Sequence, residues 1–138
     1  MFLAGSIEMG AAEDWQARAA RGLADLDVVL FNPRRDDWDS SWDQSEHDPR
    51  FRAQVQWEMD ALERATVIIF YFAPGTRAPI TLMELGLHAR GGRALVCCPD
   101  GYWRKGNVDL VCERYEVPRA GSLEELLWRA RQALCGAV

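Results

Sequence analysis

Glu84 and Glu58 are the side chains of this sequence best suited, by type and spacing, to do chemistry. Glu84 falls early in a helix that follows an apolar strand, where the helix dipole favours a carboxylate and helps keep it ionised. An ionised carboxylate at a crevice can attack an electrophilic carbon or stabilise a cationic transition state. Thr81-Leu82-Met83-Glu84 also matches the T-x-x-E capping box, which would make Glu84 a structural cap instead. Glu58 lies between Val55 and Leu62 at helical spacing and borders an apolar stripe, whereas Asp60 points to solvent. A carboxyl group beside Phe51 and Leu62 should have a raised pKa, which suits proton transfer. The alternative for Glu58 is a partly buried acid paired with Arg52 or Arg64.

Arg34 and Arg35 follow an apolar run and suit a carboxylate, a phosphate or a base edge; they could equally pair with Asp36, Asp37 or Asp39. Trp38 could stack on a flat base, or simply close its loop over the core. That loop, residues 36–48, holds six acids, yet it lacks the glycine and terminal glutamate spacing of a calcium loop, so no metal is expected. Arg104 and Lys105 precede a helix start at Asn107, where free backbone N–H groups favour anions; a solvated loop is the competing reading.

The elements that must position these residues alternate strand and helix. Strands are predicted at residues 1–4, 28–31, 67–72, 94–98 and, weakly, 115–117. Helices are predicted at 12–24, from Asp48-Pro49 onward, from about 79 or 81 to 90, from Asn107 to 114, and after the capping box Ser122-Leu123-Glu124-Glu125. Phe51, Val55, Met59 and Leu62 form the apolar stripe of the second helix. Strands separated by helices imply a parallel sheet, here five-stranded with helices on both faces: a flavodoxin-like or Rossmann-like three-layer sandwich. Ligands of such sheets bind at the carboxyl ends of the strands, which selects Gly5-Ser6, Asn32 with the arginines after it, Gly75-Thr76 with the stretch up to Glu84, and residues 99–107. A pocket is expected there, with Glu58 and Glu84 approaching each other across it.

The 138 residues fit one domain spanning 1–138, and 49% are hydrophobic, enough for a proper core. A net charge of −5 argues against a general nucleic-acid partner. Cys97, Cys98, Cys112 and Cys135 show no C-x-x-C spacing and are read as reduced, buried small apolar residues, with Cys97 and Cys98 on opposite faces of a strand. No leader sequence and no run of transmembrane length stands out, so a cytoplasmic protein with no membrane partner is expected.

Phe2-Leu3-Ala4-Gly5-Ser6, Asn32-Pro33 and above all Met83-Glu84-Leu85-Gly86 resemble the nucleoside 2-deoxyribosyltransferase family, and the resemblance spans nearly the whole chain. It implies a flavodoxin-like fold and cleavage or transfer at the N-glycosidic bond of a nucleoside or nucleotide, without cofactor. It makes Glu84 the nucleophile and places Glu58 where the family has an aspartate that protonates or holds the base. Gly5, Ser6, Asn32, Arg34, Arg35, Trp38, Gly75, Thr76, Arg104 and Lys105 become the expected substrate contacts. Two features depart from the pattern: Arg77-Ala78-Pro79-Ile80 stands where the transferases carry a second acid, and no tyrosine follows the first strand. A nucleoside monophosphate hydrolase and a non-catalytic nucleotide-sensing module are therefore the alternatives. A homo-oligomer is expected, because family members commonly assemble and the Trp-rich loops offer apolar area to cover.

Overall fold

Apolar runs too short for helices become strands when both of their faces can be buried. In the computed structural model, which describes residues 1–8, 11–36 and 41–136, three such runs do so. They are β1 (Phe2–Gly5), β2 (Ile68–Tyr71) and β3 (Ala94–Cys97), and each is buried at every position. With β4 (Arg119–Ala120) they form a parallel sheet in the order β1-β2-β3-β4.

Among the described residues five α-helices cover the sheet: α1 (Trp15–Gly22), α2 (Pro49–Arg64), α3 (Pro79–His88), α4 (Lys105–Arg114) and α5 (Leu123–Gly136). Because alternate strand residues face opposite ways, the core divides in two. Phe2, Ile68, Phe70 and Val96 pack with residues of α2, α3 and α4, while Leu3, Ile69, Leu95 and Cys97 pack with residues of α1 and α5. Cys97 and Cys98 fall in different layers, as alternation requires. Cys135 is exposed, contrary to the expectation that all four cysteines are buried.

The expected fifth strand is reduced to one bridge. Phe31 N–H donates to Met1 O (2.8 Å) and Leu3 N–H to Phe31 O (3.0 Å), pairing Phe31 with Phe2 on the free edge of β1. The next ladder bond would need an N–H at position 33, and Pro33 has none. Among the described residues the sheet therefore has four strands rather than five, in an α/β arrangement consistent with a Rossmann or flavodoxin-like fold.

The last strand lies beyond residues 115–117 because that segment ends α4. Glu116 takes a left-handed φ of 55°, and Val117 N–H donates to Cys112 O (2.9 Å), closing a Schellman motif with glutamate in the usual glycine position. Asn107 is not a cap, since α4 already begins at Lys105. Met59 is 48% exposed and leaves the α2 stripe; α2 turns Ala61 and Leu62 fully inward instead. The Asp48 side chain does cap α2, accepting from Arg50 and Phe51 N–H, with Pro49 at the first helical position.

Gly5 closes β1 where no other residue fits. A Cβ there would stand 2.4 Å from both Tyr71 O and a ring carbon of the buried Trp15. Gly5→Ala is expected to cost about 1–3 kcal/mol or more, because neither backbone nor indole can retreat. Thermal melts of the two proteins check this; an unchanged melting temperature would contradict the packing.

Candidate active site

The carboxyl ends of β1 and β2 are tied by one serine. Ser6 is fully buried. Its Oγ accepts from Ala73 N–H (3.0 Å) and shares a 2.6 Å hydrogen bond with Thr76 Oγ1, while its carbonyl accepts from Trp15 Nε1 (3.2 Å). Gly75, with φ of 75°, turns the chain beside Gly101, whose carbonyl accepts from Gly75 N–H (3.2 Å). Gly5, Ser6, Gly75 and Thr76 thus form one wall at the carboxyl ends of β1 and β2.

From this wall the chain enters α3 through Ala78, a non-glycine residue with φ of 43°. Glu8 secures that conformation: its Oε1 accepts from Arg77 N–H (2.9 Å) and Ala78 N–H (2.8 Å). Since α3 begins at Pro79, Thr81 lies inside the helix and no side chain caps it. The capping-box alternative for Glu84 therefore fails. Glu84 instead faces inward, 8% exposed, among Thr81, Leu85 and the core.

Burial, and secondly the charge of Glu58, push Glu84 up to about 8. Desolvation thus outweighs the helix dipole that was expected to keep it ionised. Glu58 is also raised by burial, with a smaller opposing effect from a hydrogen bond donated by Gln54 Nε2 to its Oε1 (3.1 Å). Glu58 thus acts on Glu84 as a like charge, while Asp60 is exposed. Gln54 takes the place of Arg52 or Arg64 as the partner of Glu58. Its own Oε1 accepts from Arg35 Nη1 (3.2 Å), and the Arg35 guanidinium lies 5.0 Å from the centre of the Trp42 ring.

The other expected contacts separate from this centre. Arg34 braces the turn before α1, donating to Ala12 O (2.8 Å) and Glu13 O (3.0 Å). Asn32 Oδ1 accepts from Arg34 N–H (3.0 Å). Trp38 lies outside the described residues. Arg104 stacks on Trp103 at 4.3 Å and lines a cleft of about 500 Å³ between α3 and α4. Lys105 donates to Cys98 O (2.8 Å) and lines a cavity of about 250 Å³ at the carboxyl ends of β3 and β4, with Asp109 and Arg119. Neither cavity is lined by Glu58 or Glu84. Among the described residues no group of three or more histidine, cysteine or acidic side chains could hold a metal ion.

Glu8, Gln16 and Gln54 escaped the sequence reading. Gln54 left a signal, standing four residues before Glu58 on one helix face. Gln16 is wholly buried and its Oε1 accepts from Arg34 Nη1 (3.4 Å), but nothing in its local sequence marks it.

A parallel α/β sheet covered by helices is the frame of a class of domains that bind small molecules at the carboxyl ends of their strands. The family model described as nucleoside 2-deoxyribosyltransferase like matches residues 1–102, and the chain belongs to that family. Membership suggests glycosyl transfer at nucleosides and a nucleoside small molecule as substrate. No curated protein matches the chain. Among the described residues no helix is long and apolar enough to cross a membrane.

Proposed function

We propose that this protein cleaves or transfers at the N-glycosidic bond of a nucleoside or nucleotide, with Glu84 as nucleophile and Glu58 as the proton donor to the departing base. The observation that carries the reading is a buried Glu84 on α3 acted on by the charge of a partly buried Glu58 on α2. Two acids so placed cannot both ionise readily, so the pair holds a proton at neutral pH. A displacement of this kind needs that protonation state: one carboxylate to attack and one carboxylic acid to give a proton.

Glu84 holds the proton at rest, so the productive arrangement, with the charge on Glu84 and the proton on Glu58, forms when that proton passes to Glu58 as substrate binds. Gln54 donates to Glu58 Oε1, which leaves Oε2 to carry the proton. Glu84 attacks the anomeric carbon through an oxocarbenium-like transition state, the C–N bond breaks, and the base leaves with the electron pair and the Glu58 proton. Water or a second base then attacks the glycosyl ester, and Glu58 recovers a proton from the incoming nucleophile. The reading needs neither metal nor organic cofactor. Arg35, reaching Gln54 from the loop after Phe31, is the candidate contact for a substrate phosphate.

The absence of an acid from Arg77-Ala78-Pro79-Ile80 supports a second reading, a domain that binds a nucleotide derivative without turnover. The test is incubation with a panel of nucleosides and nucleoside monophosphates, with and without a free second base, followed by chromatography. A swapped base identifies a transferase, and free base with free sugar a hydrolase. Saturable binding without products supports the module, and neither binding nor products across the panel overturns both readings.

A further inference from the structure

We propose that Gln54 is a positioning residue that fixes where Glu58 carries its proton, and that Arg35 acts through Gln54 by setting which way its amide faces. The assignment rests on the reading of Glu58 as proton donor.

The three side chains form a line of donated bonds with only one possible sense. A guanidinium donates and never accepts. Arg35 Nη1 stands 3.2 Å from one end of the Gln54 amide, so that end is the carbonyl oxygen. The amide nitrogen therefore faces Glu58 and donates to Oε1 at 3.1 Å. An N–H meets a lone pair there, never a hydroxyl proton, so a proton on Glu58 is confined to Oε2. Without Arg35 the amide is free to turn over, because its two ends are alike in size, and its oxygen would then hold a proton on Oε1. Arg35 is itself anchored. Its guanidinium lies 5.0 Å from the centre of the Trp42 ring, and Arg50 lies 5.4 Å from the same ring. Arg50 in turn pairs with Asp48, the cap of α2 (3.1 Å). The line is thus fastened to the start of the helix that carries both Gln54 and Glu58.

Four residues apart on α2, Gln54 and Glu58 share one face and are both partly buried, whereas Arg52 and Asp60 are exposed. The charged groups facing Glu58 are Glu84, from α3, and Arg35, behind the amide. A neutral amide suits this place. Its donated bond favours the ionised carboxyl and opposes the burial that favours the neutral one. Glu58 then stays ionised while Glu84 holds the proton, yet can still accept it. A cation in direct contact would hold Glu58 ionised and block the transfer. An apolar side chain would leave both acids competing for the proton at rest.

Carboxyl NMR of the full chain with labelled glutamate tests the arrangement without any substrate, the Glu58 signal being assigned by its loss in Glu58→Gln protein. Glu58 is expected to titrate at higher pH in Gln54→Met than in the native chain. It should titrate higher still in Gln54→Glu, where a like charge replaces the donor. Arg35→Met should move it in the same direction by less, and should add little to Gln54→Met. Base release reads the consequence on a substrate that the native chain cleaves. Gln54→Met should lower kcat about tenfold or more with KM little changed, and should move the acidic limb of the pH profile upward. In a Glu58→Gln background the same change should cost almost nothing, because its effect runs through Glu58. A Glu58 titration indifferent to both Gln54 variants overturns the proposal, and so does a Gln54→Met loss that persists in full once Glu58 is glutamine. Titrations that shift as described in a chain that cleaves nothing overturn the glycosidic reading instead, and support the hold of Gln54 on Glu58.

Discussion

Glu84→Gln is expected to abolish base release, by several powers of ten, in a protein that remains folded. Glutamine matches glutamate in shape and keeps one carbonyl oxygen, but it cannot attack an anomeric carbon. Because α3 starts at Pro79 without a side-chain cap, no capping loss confuses the comparison. Glu58→Gln should behave differently. Loss of a proton donor typically costs about 10²–10⁴-fold, and the deficit should shrink for substrates whose departing base needs less protonation. Base release by the two variants, measured on a substrate that the native chain cleaves, separates the roles. A fully active Glu84→Gln protein would end the nucleophile assignment, and equal losses on good and poor leaving bases would remove Glu58 from proton donation.

What was legible in the sequence was local. Asp48-Pro49 announced α2 because a cap and a first-turn proline act within four residues. The capping box of α5 likewise formed, with Glu125 N–H donating to Ser122 Oγ (3.1 Å), although the Glu125 carboxylate accepts from Gly121 rather than Ser122. Strands β1, β2 and β3 were readable because burial on both faces leaves an unbroken apolar run. The misreadings were of things decided at a distance. The start of α3 depends on Glu8 holding Ala78 from 70 residues away, so Thr81 through Glu84 could match a capping pattern and still lie mid-helix. The strand at 28–31 depended on β1 as its partner and kept one bridge, at Phe31, beyond which Pro33 has no N–H to continue the ladder. At the site, the type and helix face of Glu58 were visible, but its link through Gln54 to Arg35 required the fold. Arg34 and Arg35 are neighbours in sequence with similar prospects, yet the first braces the α1 turn and the second reaches Gln54 beside Glu58.

Stability of the native chain is expected to fall as pH rises from about 5 to about 8, and Glu84→Gln should remove much of that fall. The sign follows from proton counts. In the unfolded chain Glu84 ionises near its ordinary 4.5, whereas in the folded chain burial and Glu58 hold it up to about 8. Between those values the native state binds a proton that the unfolded state has released, so unfolding becomes easier with each step in pH. A whole proton corresponds to a slope of about 1.4 kcal/mol per pH unit, an upper limit for this one residue. Below the unfolded value both states are protonated and the residue contributes no slope. Asp48, held down to about 2 mainly by its bond to Arg50, shifts in the opposite sense but is common to both proteins and cancels in the comparison. Urea unfolding at several pH values should therefore show two curves that diverge as pH rises, with the glutamine variant on the order of 1–3 kcal/mol more stable near pH 8. That variant would be the more stable and the less active of the two, as expected where an active site holds an acid against its solvation. Parallel curves would show that Glu84 ionises alike in both states, and with that the proton shared between Glu84 and Glu58 would be lost as the basis of the mechanism.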